Sequence, residues 1–173
     1  MTRDLYEKSY IIDIANNVRL AYGNSTSYKI FEMIDLINNF DQASLFYGNK
    51  LISCTHNSAV TIGSSAFAMC GTLTFVEFPE CTTINQSAFY NCGLLSTAIF
   101  SKCTNINQSA FYNCSLFSSL YIGTSNCVLS NTNAFFNTPI STGAGLIYVP
   151  AAYVETYKNS VNWSAYSSKI VSY

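Results

Sequence analysis

The chain has 173 residues, of which 49% are hydrophobic and only 10% charged, with a formal net charge of −1. Ordinary globular domains carry about 25% charged residues, and without a basic block this chain lacks the phosphate-neutralising charge of a nucleic-acid binder. The length allows one or two compact units with a sizeable core. No run approaches the ~18 consecutive apolar residues of a membrane span, so no membrane insertion is expected.

Met1 to Tyr10 show no basic segment followed by an apolar run, so the expectation is a chain without a secretory signal. Residues 1–41 read as two amphipathic helices. Tyr10, Ile11, Ile14, Ala15 and Val18 fall at helical spacing, and Gly23-Asn24-Ser25 interrupts it. Ile30, Met33, Ile34, Ile37 and Phe40 resume the period, with Ser27 as N-cap. Two such helices cannot bury both apolar stripes alone, so they serve as a docking or capping segment.

Residues 42–145 hold an internal repeat. The string Ile-Asn-Gln-Ser-Ala-Phe-Tyr-Asn-Cys occurs at Ile84–Cys92 and again at Ile106–Cys114, and a looser copy runs from Ile62 to Cys70. A fixed period of 22 residues means a solenoid, in which each unit buries its apolar face on its neighbours. Aligning the units gives columns Phe67, Phe89, Phe111 and, after a two-residue insertion, Phe135. Further columns are Leu73, Leu95, Phe117; Val76, Ala98, Leu120; and Phe78, Phe100, Ile122. The last two alternate with outward positions, as a short strand requires. A degenerate first unit is expected to begin near Leu45, with Leu51 in the leucine column.

Residues 146–173 close the array. Leu146 to Pro150 reads as a final strand stopped by proline, and Ala151 to Lys158 as a short helix. Trp163, Tyr166 and Ile170 are expected to cover the open end of the core.

Five of the seven cysteines, Cys70, Cys81, Cys92, Cys103 and Cys114, are spaced by 11 residues, with Cys54 and Cys127 outside the series. Each unit supplies two, so they are expected to stack as two columns of small buried side chains. There is no Cys-x-x-Cys pair, and His56 is the single histidine, which speaks against both zinc and a catalytic thiol. No paired carboxylates, phosphate loop or Ser/His/Asp set is present, so no cofactor and no enzyme activity is implied.

Between Val60 and Pro150 the charged residues are Glu77, Glu80 and Lys102. Such a polar but uncharged surface is poorly guarded by charge repulsion, which favours contact with a neighbour, a glycan or another copy of the chain. The outward strand column Glu77, Ile99, Tyr121 and Tyr148 is the first candidate binding face. Tyr90 and Tyr112, followed by Phe136, form a second column; its rings either bind a partner or pack along the turn side.

The pattern Ile-x-x-x-Ala-Phe-x-x-Cys-x-x-Leu resembles the BspA-like, or Treponema pallidum type, leucine-rich repeats. Tyr148-Val149-Pro150-Ala151, Tyr157-Lys158 and Trp163 are similar to the closing element of such arrays. Two departures are Phe117 in a leucine position and Asn137-Thr138 where a cysteine would fall. The resemblance implies an α+β repeat solenoid: a leucine-rich-repeat-like stack of about four 22-residue units with a narrow parallel sheet, turns or short helical pieces opposite, and an N-terminal helical hairpin. It also implies a non-enzymatic binding or assembly role. Ile14 to Arg19, Gly23 and Tyr28 to Met33 resemble helical elements of structural proteins of phages infecting Gram-positive bacteria. The expectation is a homo-oligomeric virion component, capsid- or tail-associated, contacting other virion proteins or a host surface. The alternative is a bacterial cell-surface adhesin module that binds a host protein or glycan.

Overall fold

The computed structural model describes residues 52–57 and 59–173. The helical hairpin expected in residues 1–41 and the start of the degenerate unit at Leu45 and Leu51 lie outside the described residues.

Short strands recur along the chain: β1 (Ser53–Thr55), β2 (Thr61–Ile62), β3 (Phe75–Glu77), β4 (Thr83–Ile84) and β5 (Thr97–Phe100). There follow β6 (Asn105–Ile106), β7 (Ser119–Ile122), β8 (Val128–Leu129), β9 (Leu146–Val149) and β10 (Ile170–Ser172). Among the described residues they form a six-stranded parallel sheet in the order β1-β3-β5-β7-β9-β10 and a four-stranded parallel sheet in the order β2-β4-β6-β8. The described residues form a repeat solenoid, in which β1 to β8 add one rung to each sheet in turn and β9 and β10 extend the larger sheet alone. The narrow sheet expected from the sequence is the larger one. The second has rungs of two residues, too short to show an alternation.

In β5, β7 and β9 burial alternates strictly, with Ala98, Phe100, Leu120, Ile122, Ile147 and Val149 inside. Register carries the columns from coil to coil: Val76 pairs with Ala98, Ala98 with Leu120, and Leu120 with Ile147. Phe67, Phe89 and Phe111 stack with centroids 5.1 Å apart at each step, and Phe135 follows at 5.8 Å. Phe117, in its leucine position, is fully buried and lies flat on Phe111 at 4.5 Å.

The two-residue insertion enters in two steps. Phe100 pairs with Ile122 at an offset of 22 residues, and Ile106 with Leu129 at 23. The second step follows before the turn, where Phe111 N donates to the Ala134 carbonyl in the bond that Phe89 N makes to Ala110 one coil earlier. Further extra residues, folded as α1 (Pro139–Thr142), precede β9.

None of the seven cysteines forms a disulfide. Cys70, Cys92 and Cys114 stack as expected, and Cys92 and Cys114 donate to the carbonyls of Phe67 and Phe89 at 2.9 and 3.0 Å. Thr138 continues this column: its buried hydroxyl donates to the Phe135 carbonyl at 2.7 Å and caps α1. Cys127 was expected outside the series, but it joins Cys81 and Cys103, with its Sγ 3.7 Å from that of Cys103. It stands 24 residues after Cys103 and one position nearer its rung: Cys103 Sγ donates to the carbonyl two residues on, Cys127 Sγ to that of the next residue.

The closing segment is a 3-10 turn (Ala151–Tyr153), α2 (Val154–Asn159) and a second 3-10 stretch (Trp163–Lys169). Trp163, Tyr166 and Ile170 are buried against the last coil as expected. The strand read as final, β9, is not: β10 pairs in parallel with it, Val171 opposite Tyr148. Four side chains of this segment bind carbonyls of the last coil. Tyr157 donates to Thr124 at 3.1 Å, Trp163 to Cys127 at 2.6 Å, Asn162 to Leu129 at 2.7 Å and Tyr166 to Thr132 at 2.6 Å. The Cys127 and Leu129 carbonyls are the groups that a further coil would otherwise take, as Val128 N and Ser130 N take those of Thr104 and Ile106, so this edge of the four-stranded sheet is closed by side chains.

Candidate interaction surface

The outer face of the six-stranded sheet carries two columns. Ser53, Phe75, Thr97, Ser119 and Leu146 form one; Thr55, Glu77, Ile99, Tyr121, Tyr148 and Val171 form the other. The four candidate residues Glu77, Ile99, Tyr121 and Tyr148 are therefore adjacent rungs of a single line, each half-buried. In-register parallel pairing sets this, because equivalent side chains of neighbouring strands stand about 4.8 Å apart on the same face.

The line changes character along its length. Glu77 opens it with a charge, Ile99 is aliphatic, and Tyr121 and Tyr148 lie face to face at 4.4 Å and 8°. Tyr173, 62% exposed, leans on Tyr121 at 6.0 Å and 60°. With Leu146 and Val171 alongside, the end nearest the cap is an apolar, aromatic patch. Val171 and Tyr173 escaped the sequence reading because β10 did: Ile170, Val171 and Ser172 do not alternate and belong to no repeat.

Tyr90 and Tyr112 lie elsewhere on each coil, on the turn between the short rung and the next long one. Their rings stack at 5.3 Å and 16°, and Phe136 extends the pile at 4.7 Å and 19°. Each stacks on its neighbour in the pile, and Tyr90 and Tyr112 are half-buried. Phe136 ends it, 51% exposed. The structure does not bring this column together with the strand column.

Two residues in each of the first three turns, and one in the fourth, have left-handed backbone. Ser65, Ser87 and Ser109 have φ of 57–58°, and Met69, Asn91, Asn113 and Asn137 have φ of 55–62°. Asparagine tolerates this region, and the tight turn it permits sets the aromatic pile at the rim. Asn137 Nδ2 donates to Asn113 Oδ1 at 3.0 Å, tying consecutive turns.

The site has little acid–base chemistry to offer. Glu80 pairs with Lys102 one coil on at 2.7 Å, both largely exposed, and such a pair contributes little. Burial pushes the Cys54 and Cys81 thiols up to about 12, away from the thiolate. What the geometry provides is a rigid, repeated, nearly uncharged surface with an aromatic patch, suited to holding a partner by shape and apolar contact. Among the described residues, no helix is long and apolar enough to cross a membrane.

Comparison with protein families matches a BspA type leucine rich repeat region, in six copies, over residues 24–160. Comparison with curated proteins gives no match. Leucine-rich repeats are in general protein–protein interaction modules, which agrees with a surface built for contact. With most of its length matched and its coils in register, the chain belongs to the BspA-type leucine-rich repeat family.

Proposed function

We propose that the chain is a non-enzymatic binding and assembly protein whose contact surface is the outer face of the six-stranded sheet. The observation that carries this is the line Glu77, Ile99, Tyr121 and Tyr148, which ends in a stacked tyrosine pair beside exposed Tyr173. Stacked, partly ordered rings are good anchors, since little conformational entropy is lost when a partner covers them. The setting proposed is a phage virion, as a capsid- or tail-associated decoration or host-attachment protein. Its support is the resemblance of residues 14–33 to helical elements of phage structural proteins. The scarcity of charge from Val60 to Pro150 favours contact with further copies of the chain.

The test is mass spectrometry of nuclease-treated, gradient-purified particles and of washed cell envelopes from the same culture. Enrichment in particles is expected. Presence in envelopes with absence from particles would replace the virion reading by that of a surface adhesin, leaving the sheet face to be tested against host proteins and glycans.

A further inference from the structure

The cap rests on the last thiol of a column. Cys103 and Cys127 are 0% and 2% exposed, and Cys127 Sγ donates to Cys103 Sγ at 3.7 Å. Cys127 has no further coil beyond it. Trp163 Nε1 holds its carbonyl at 2.6 Å, Asn162 holds that of Leu129 two residues on, and Tyr157 packs edge-on to Trp163 at 5.3 Å. Lifting the cap therefore uncovers Cys127 first, with Cys103 already in contact behind it. The other column differs at this end, where a hydroxyl, that of Thr138, stands in place of a thiol.

We propose that Cys103 and Cys127 form an oxidisable pair gated by the cap, which a low-molecular-weight disulfide converts into an intramolecular disulfide joining the two coils. Cys127 loses its thiol proton to solvent and attacks one sulfur of the reagent, forming a mixed disulfide and expelling one reagent thiol. Cys103 then loses its proton and attacks the Cys127 sulfur, expelling the second. Two protein thiols are oxidised, and one reagent disulfide is reduced to two thiols. The Sγ atoms have to close from contact distance to about 2.0 Å, a side-chain movement within the reach of neighbouring strands. With the cap seated, the hydrogen bond to Cys103 and burial hold the Cys127 thiol protonated, so the closed form resists exchange.

The experiment incubates the full chain with oxidised glutathione, alkylates the remaining thiols and maps the peptides by mass spectrometry. Trp163→Phe keeps an aromatic ring and removes the Nε1 donor; Asn162→Gly loosens the cap independently should the first variant fold poorly. The expected result is a Cys103–Cys127 linkage, formed about tenfold faster in the loosened variants, as loss of one hydrogen bond to a buried carbonyl implies. In Cys103→Ser, glutathione should remain on Cys127. No linkage in a folded, loosened variant, an unchanged rate, or equal linkage of Cys81 to Cys103 would overturn the proposal.

Discussion

Asn162 donates its side-chain amide to the Leu129 carbonyl at 2.7 Å, where one coil earlier Ser130 N donates to the paired residue Ile106 at 3.0 Å. A side chain thus continues a ladder that the backbone builds between earlier coils, as Trp163 Nε1 does at the Cys127 carbonyl. Asn162 also has φ of 65°, which asparagine tolerates. Asn162→Gly keeps the backbone unstrained but leaves the Leu129 carbonyl without its donor. We expect a loss of about 1–3 kcal/mol in urea unfolding. A cap that merely covers apolar surface would lose only a few tenths.

Met69 occupies the turn position held by Asn91, Asn113 and Asn137, with φ of 62°. Left-handed backbone costs an ordinary side chain roughly 1–2 kcal/mol, less for asparagine. Its sulfur lies 3.9 Å from the Asn91 amide, against 3.0 Å for the amide pair of Asn137 and Asn113. Met69→Asn should therefore stabilise the protein by about 1 kcal/mol, read as a rise in the urea midpoint at unchanged slope.

The core was legible in the sequence because periodicity writes it directly. Val76, Ala98 and Leu120 recur at equal spacing, and equal spacing in a solenoid means stacking. What stayed hidden has local causes. The rungs Thr83–Ile84 and Asn105–Ile106 are too short to alternate, so a second sheet left no pattern. Cys127 looked unrelated because it follows Cys103 by 24 residues and not by the 22 of the repeat. The strand Ile170–Ser172 is placed by the cap folding back and by no repeat. The candidate surface was legible as a line of four residues, whereas its extension to Val171 and Tyr173 depended on that hidden strand.

Gly123 sits where a coil passes close to its predecessor. A Cβ there would lie 2.5 Å from the Ser101 carbonyl oxygen, a backbone atom that cannot swing aside. Gly123 N also donates to the Phe100 carbonyl at 3.2 Å, so moving away breaks a rung. Gly123→Ala should destabilise by about 1–3 kcal/mol, as overpacking does. Gly93→Ala, whose Cβ meets only the Ser115 hydroxyl at 3.8 Å, should be near neutral. Equal effects in thermal melts would show the close approach to be slack.

Alkali should weaken the fold through its thiols. Burial, with the neighbouring Cys103 adding to it, pushes the Cys81 thiol up to about 12, whereas an unfolded chain releases that proton near 8.5. Between those values the folded state binds more protons, so stability falls as pH rises and is fully present below about pH 8.5. Burial raises Tyr157 and Tyr166 as well, adding to the decline above about pH 10. Urea midpoints should be flat from neutral pH to about pH 8 and then drop. Cys81→Ala should make the drop shallower, and an unchanged slope would remove Cys81 as a source.

Tyr121 and Tyr148 point out of the sheet, so they can be changed without opening the core. Their stacking contributes about 0.5–1.5 kcal/mol to the fold, and replacing both by serine should cost little more. For binding the expectation is different. Central aromatic anchors carry at least ~2 kcal/mol when a partner covers them, which corresponds to roughly 30-fold in affinity. The double variant Tyr121→Ser, Tyr148→Ser should therefore fold with a near-normal melt yet lose incorporation into gradient-purified particles. Tyr90→Ser with Tyr112→Ser is the matched control, since those rings face each other along the turns. It should melt somewhat lower and still be incorporated. If the control loses incorporation and the strand-face variant keeps it, the contact surface lies on the turn side and the assignment of the sheet face is wrong.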